Sequence, residues 1–173
     1  MSFLSVNPEI ETERLCLRAP RPEDAEPYVA MFQTDRVKYM SETLDEFGAW
    51  KAWYTEMGHW AQRGYGMFAV FRRGEDTPLG IVGPWYPHTW PEREIGWMVY
   101  PGAEGQGIAY EAAVATRAWA YRELGWDSAV SFIDPDNARS IALAERMGAV
   151  LDTQTEGPDR LDLVYRHPGP EAV

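Results

Sequence analysis

The stretch that most constrains this chain runs from Glu94 to Leu124, EIGWMVYPGAEGQGIAYEAAVATRAWAYREL. Residues 95–100 read as an apolar strand, Pro101-Gly102 breaks it, and after Gly105-Gln106-Gly107 the pattern changes to a helical period. Strand, glycine loop and helix in that order carry a chemical consequence. The first N–H groups of a helix have no intrahelical partner and hold the positive end of the macrodipole, so anions settle there. Gly105 and Gly107 let a pyrophosphate approach the main chain with no Cβ in the way. The loop reads as a phosphate cradle.

Two common phosphate fingerprints do not fit. No Lys follows the glycines, as a P-loop requires, and Gly105-Gln106-Gly107-Ile108-Ala109-Tyr110 lacks the last glycine of G-x-G-x-x-G. Glu104-Gly105-Gln106-Gly107-Ile108-Ala109, followed by Glu111-Ala112, instead resembles the acetyl-CoA loop of the GNAT N-acetyltransferases, [QR]-x-x-G-x-[GA]. Near the start, Glu11-Thr12-Glu13-Arg14-Leu15-Cys16-Leu17-Arg18 and Pro22-Glu23-Asp24-Ala25 resemble the opening of the Rim-type branch, which acetylates ribosomal-protein N-termini. Near the end, Asn137-Ala138-Arg139-Ser140-Ile141-Ala142 running to Glu145-Arg146-Met147-Gly148-Ala149 is similar to that branch's last helix. The three segments keep the family's order over about residues 10 to 167.

A length of 173 residues suits one domain, and a domain near this size buries roughly 70% of its unfolded surface without staples. A single cysteine excludes an internal disulfide framework, and Cys16, between Leu15 and Leu17 in a strand pattern, reads as structural. No apolar run approaches the ~18 residues of a membrane span, and MSFLSVNPEIETE is not a signal peptide, so a cytoplasmic protein off the membrane is expected. The net charge of −11 argues against nucleic acid and suits a cationic partner such as an amine, although solubility alone explains it equally well. His59, His88 and His167 have no ligand-like spacing, and no metal is expected.

In order along the chain, residues 1–9 are expected to be a flexible start, 10–167 one domain, and 168–173 a tail. Arg14–Arg18 alternates as a half-buried strand, and Pro22-Glu23-Asp24 opens a helix ending near Phe32, with Tyr28, Val29 and Phe32 inward. A second helix over 45–63 carries Phe47, Trp50, Trp53, Tyr54, Met57 and Trp60 at spacings of three and four. Strands at 67–72 and 79–85 flank a hairpin turn. PWYPHTWP, 84–91, is too proline-rich for a central strand and reads as a loop. The helix after the glycines spans about 107–124. A strand at 128–133, a helix at 137–147, and strands at 149–155 and 160–167 follow. Strands interleaved with helices define an α/β (α+β) domain with a mixed sheet.

The resemblance implies more: a central mixed, mostly antiparallel sheet flanked by helices and splayed where acetyl-CoA, the acyl donor, enters. Trp97, Met98 and Val99 then offer their backbone to the pantetheine arm. Glu104, Gly105, Gln106, Gly107, Ile108, Ala109 and Tyr110 form the phosphate loop, and Arg139 reaches toward a phosphate. Glu104 departs from the [QR] of the pattern, so its side chain is expected to turn away from the pyrophosphate.

An attacking amine must be neutral, which is easier for an α-amino group of pKa ~7.7 to 8.0 than for a lysine-type amine of ~10.4. Glu94, at the start of the strand beside the pantetheine, is the first choice of proton acceptor, with Glu92 and His88 in reserve. Many family members keep a Tyr in the last helix to protonate the thiolate. Here that position is Ala144, and Ser140, one turn earlier, is the candidate donor. Asn137 matches the asparagine that contacts pantetheine or acceptor, and also suits a helix cap. Trp50, Trp53, Trp60, Trp85 and Trp90 either wall the acceptor cleft or pack the core and a dimer contact. The expected activity is direct acetyl transfer to a protein or peptide N-terminal α-amine, by a monomer or homodimer. The alternatives are a small cationic amine, such as a polyamine or aminoglycoside, or a catalytically silent CoA-binding module.

Overall fold

The computed structural model describes residues 8–159 and 161–172. Positions 1–7 of the expected flexible start, Arg160 of the expected last strand and Val173 of the tail lie outside the described residues. In chain order the elements are β1 (Glu9–Glu11), β2 (Leu15–Arg18), α1 (Ala25–Phe32), α2 (Glu46–Arg63), β3 (Phe68–Arg72), β4 (Gly80–Trp85) and β5 (Glu94–Val99). They continue as α3 (Ile108–Glu123), β6 (Val130–Ile133), α4 (Ala138–Arg146), β7 (Val150–Asp152) and β8 (Leu163–Arg166). A 3-10 turn at Pro22–Asp24 leads into α1, whose Tyr28, Val29 and Phe32 are buried as their spacing predicts.

One mixed sheet holds all eight strands in the order β1-β2-β3-β4-β5-β6-β8-β7. Every pairing is antiparallel except β5 with β6, which α3 joins as a parallel crossover. Alternation along the strands divides the core between the two faces. Val82, Ile95 and Trp97 pack with α3, and Trp97 also reaches the cluster under α4; Ile81 and Met98 face α1 and α2.

The parallel pairing opens the sheet. β4 and β5 are in register over six residue pairs, from Gly80 with Val99 to Trp85 with Glu94, whereas β5 and β6 share only Glu94 with Val130. Beyond that point the two strands separate. At the fork, Ser131 Oγ donates to the Ile95 carbonyl at 2.6 Å and lies 2.9 Å from His167 Nε2, while Arg117 Nη1 lies 3.1 Å from His167 Nδ1. A neutral imidazole with its proton on Nε2 satisfies the whole chain: Arg117 donates to Nδ1, Nε2 to Ser131, and Ser131 to Ile95. Burial, then the nearby guanidinium, pushes the His167 pKa down to about 3, which keeps the ring neutral.

Three sequence expectations need correction. β1 begins at Glu9, within the segment expected to be loose, because β2 offers it an antiparallel edge. Pro84 lies inside β4, a central strand, rather than in a loop. Pairing with β3 stops at Val82, so Pro84 has only β5 beside it, and its missing N–H leaves no gap in a ladder on the other side. The aromatic stripe of α2 is divided: Trp53 and Trp60 are buried, while Phe47 and Tyr54 are exposed.

Candidate active site

The forked strands enclose a cleft of about 1010 Å³ that runs from the glycine loop, between β5 and α4, to the inner sides of α1 and α2. Its wall includes Glu94, Trp97, Met98, Val99, Glu104, Gly105, Gly107, Ile108, Ala109, Tyr110, Asn137, Arg139 and Ser140. Of the residues expected to bind the donor or to carry the first-choice chemistry, Gln106 is the one outside it.

At the loop, Gly105 has φ 71° and Gly107 φ 76°, the left-handed region that a side chain rarely adopts. Gly107 is the N-cap of α3 and supplies no capping side chain. Among the described residues, the backbone N–H groups of 105–110 donate to no protein acceptor, and all of these residues but Gln106 line the cleft. Side chains hold the loop from behind. Arg14 Nη1 donates to the Gln106 carbonyl at 3.0 Å, and its Nε to Glu111 Oε2 at 2.6 Å. Thr12 Oγ1 also donates to Glu111, at 2.6 Å. The Gln106 side chain bonds Arg72 and the Gly102 carbonyl, so it braces the turn rather than facing the cleft.

Glu104 explains its own departure from the pattern. Its carboxylate accepts from the Gly102 N–H at 2.8 Å and pairs with Arg36, which neutralises it beside the phosphate cradle. Arg36, Lys38, Arg139 and Arg146 line the cleft alongside Asp35, Glu56, Glu94, Glu104, Asp134 and Asp136, so its wall carries charges of both signs. Arg146 on α4 also stacks over the Tyr110 ring on α3, 4.0 Å from its centroid.

The main chain of β5 is divided by its alternation. Tyr100 N–H donates to the Leu79 carbonyl, so Met98 two residues earlier also turns its main-chain groups toward β4. Its carbonyl lies so close that a Cβ on Gly80 would sit 2.2 Å from it. Trp97 and Val99 face the fork. A pantetheine arm added along β5 therefore meets the backbone of Trp97 and Val99, not that of Met98.

Ser140 on α4 accepts from the Trp97 indole N–H at 3.1 Å. That bond fixes the hydroxyl oxygen and leaves its own O–H free to donate. Asn137 is the N-cap of α4, its Oδ1 accepting from Ser140 N–H at 3.2 Å, so the capping role falls to Asn137 itself; its side-chain NH₂ remains on the cleft wall.

Glu94 sits at the fork. Trp90 Nε1 donates to its Oε2 at 2.6 Å, and the Phe132 backbone N–H also faces it. Burial outweighs both bonds and pushes the carboxyl pKa up to about 7. The two reserve bases are placed elsewhere. Glu92 accepts a bidentate pair from Arg166 at 2.8 and 2.9 Å, which lowers its pKa and makes it a poor base. His88 lines a separate hollow of about 270 Å³ with His59 and Trp85.

One residue escaped the sequence reading. Glu56 lies on the inner stripe of α2, three positions after Trp53 and four before Trp60; an acid on a buried aromatic stripe was the available signal. It is 6% exposed, yet forms part of the cleft wall with Tyr28, Met31, Phe32, Trp85 and Trp90. Of the five tryptophans assigned to an acceptor wall or to packing, Trp85 and Trp90 line the cleft, while Trp53 and Trp60 are core.

The loop, the fork and the unpaired amides together suit an elongated ligand with an anionic head and a thin, hydrogen-bonding arm. Residues 14–150, well over half the chain, match the family described as the acetyltransferase (GNAT) domain. The chain belongs to that family and is an acyl-CoA-dependent acetyltransferase, with acetyl-CoA as the donor. An acetyltransferase from Agrobacterium tumefaciens strain C58 is 34% identical over 95% of this chain and 96% of its own, with a TM-score of 0.88. RimL, the ribosomal L7/L12 α-N-protein acetyltransferase in complex with coenzyme A, shares the fold at 18% identity and TM-score 0.72, over 94% of this chain and 99% of its own. Mycobacterium smegmatis RimJ in complex with CoA-disulfide does so at 17% and 0.70, over 96% and 88%. Among the described residues, no helix is long and apolar enough to cross a membrane.

Proposed function

We propose that this protein acetylates the α-amine of a protein or peptide N-terminus by direct transfer in a ternary complex. The observation that carries the reading is the placement of the Glu94 carboxyl on the cleft wall at the fork, where it accepts from Trp90 Nε1 at 2.6 Å; burial pushes its pKa up, to about 7. Such a base lies within about one unit of an α-ammonium at ~7.7 to 8.0, a mismatch of only ~1.4 kcal/mol. A lysine-type ammonium at ~10.4 lies more than three units away, roughly 4 to 5 kcal/mol. The base is matched to an α-amine. The shared fold of RimL and RimJ, whose substrates include ribosomal-protein α-amines in the RimL case, supports the same choice.

Bound acetyl-CoA supplies a thioester whose C–S bond breaks as the new C–N bond forms. The residues of this chain do the rest. Glu94 accepts the amine proton, and backbone N–H groups of β5 at the fork stabilise the charge that gathers on the carbonyl oxygen. Ser140, its oxygen held by Trp97, donates a hydrogen bond from its free O–H to the departing thiolate, which takes up the proton that the attacking nitrogen loses as it becomes an amide. This supplies a donor in place of the tyrosine missing at Ala144, and so disfavours a silent module.

The test is CoA-thiol release with a panel of amines: a hexapeptide with a free N-terminus, the same peptide N-acetylated, spermidine and an aminoglycoside. The free peptide is expected to saturate the enzyme, with kcat/KM falling below pH ~7 as Glu94 is protonated. Turnover of the polyamine or aminoglycoside alone would replace this reading with the small-cation alternative.

A further inference from the structure

Three buried polar side chains cluster at the acceptor end, Tyr28 and Glu56 on the cleft wall and Tyr100 close to Glu56 off that wall, with a single weak bond among them. Tyr28 Oη on α1 donates to Glu56 Oε1 at 3.4 Å. Among the described residues, Glu56 Oε2 and Tyr100 Oη have no hydrogen-bond partner. Tyr28, Glu56 and Tyr100 are 3%, 6% and 3% exposed, so bulk water does not serve them. Buried polar groups of native proteins are nearly always paired, and a carboxyl with one bare oxygen marks a place where a partner arrives.

The charge is also incomplete. A buried carboxylate needs a cation or must stay protonated. Among the described residues, no Arg, Lys or His pairs with Glu56, and its hydrogen-bond partner is Tyr28. The groups that face it are Tyr28, Tyr100 and, across the cleft, Glu94, whose charge pushes the Glu56 pKa further up, to about 8, after burial has raised it. The missing counter-charge is what an incoming amine carries.

We propose that Glu56 is the acceptor-selecting residue: its carboxyl, oriented by Tyr28, receives the ammonium of the amine, which then loses its proton to Glu94. The substrate class that fits is a primary ammonium. One carboxyl binds the charge and the other takes the proton. Amine binding ionises Glu56 and expels the proton it carries in the free protein. The inference rests on the transferase reading and adds the residue that chooses the acceptor.

The experiment compares wild type with Glu56→Gln at saturating acetyl-CoA, using the free-amine hexapeptide and spermidine as acceptors. The amine KM is expected to rise at least tenfold, with the acetyl-CoA KM and coenzyme A affinity by calorimetry within twofold of wild type. Tyr28→Phe, which only loosens the carboxyl, should raise the amine KM about threefold. Calorimetry of the free-amine peptide binding to wild type with coenzyme A, run in Tris and in phosphate at pH 7, should show proton release that the N-acetylated peptide does not cause. That measurement and Tyr28→Phe carry the test if Glu56→Gln fails to fold. Turnover with an amine KM unaltered in both variants, or heats that are the same in both buffers, overturns the inference alone. Coenzyme A binding with no turnover of either amine overturns the transferase reading beneath it.

Discussion

The donor end of the cleft is made of main chain and the acceptor end of side chains. At the donor end, consecutive residues 105–110 present unpaired N–H groups, and the side chains nearby, Arg14, Gln106, Arg72 and Glu111, bond one another behind the loop. At the acceptor end, Tyr28 comes from α1, Glu56 from α2, Glu94 from β5 and Trp90 from the loop before it. The donor is the same molecule for every member of such a family, so a local, backbone-built cradle suffices. The acceptor differs, and side chains drawn from separate elements can change one at a time. The fork between β5 and β6 joins the two ends, and its chemistry belongs to both.

The largest expected effect lies at the fork. Glu94→Gln keeps the shape and the Trp90 bond to one oxygen but removes the proton acceptor, and kcat should fall roughly 10² to 10⁴-fold with little change in the acetyl-CoA KM. In the variant the limb below pH ~7 should give way to one set by the amine's own pKa of ~7.7 to 8.0. A rate profile that keeps that limb would move the base elsewhere and unbalance the division between the two ends. Ser140→Ala comes next. It removes one hydrogen bond to the leaving sulfur, and kcat should drop on the order of 10 to 100-fold. Acceptors whose transfer is limited by amine attack should feel it less, a difference steady-state assays with two peptides resolve.

At the donor end a smaller, purely binding effect is expected. Gly107→Ala forces a Cβ into the left-handed region and 3.2 Å from an Arg14 nitrogen. The strain costs about 1 to 2 kcal/mol, and any relaxation tilts the first-turn amides away from the phosphates. The acetyl-CoA KM should rise roughly tenfold while the amine KM and the pH profile stay put. A change in amine KM of the same size would show that the ends are not separable.

What the sequence made legible follows the same division. The strand, glycine loop and helix of 94–124 were readable because backbone geometry depends on glycines and periodicity within one short window. Ser140 and Asn137 were singled out through the resemblance of 137–149 to a family helix, and the structure places both on the cleft wall. Glu56 was not singled out, since only the crossing of α1, α2 and β5 brings it beside Tyr28 and Tyr100. Pro84 misled for a related reason: a proline rule applies to a strand with two neighbours, and sequence does not say where β3 stops. The neutralisation of Glu104 by Arg36 is another long-range fact, invisible in the loop motif that it protects.

The smallest effect separates the ends by stability instead of rate. Glu56 is a carboxyl whose folded pKa, about 8, stands above its ordinary value of 4.5 because burial penalises its charge. The folded state therefore binds a proton that the unfolded chain releases between those values. Wild type keeps the full stability of that arrangement below pH ~4.5 and loses it progressively as pH rises through about 8. Glu56→Gln has no proton to lose there. The two melting curves should lie close together at pH 5 and diverge toward pH 8.5, with the variant melting higher there. Saturating free-amine peptide with coenzyme A should narrow the gap, because the ammonium supplies the counter-charge the wild-type carboxyl lacks. Gly107→Ala, at the other end, should track wild type at a constant offset across the same range. Parallel curves for Glu56→Gln would mean that this carboxyl finds water or a partner when ionised, and the acceptor end would then carry no stored electrostatic cost for a substrate to relieve.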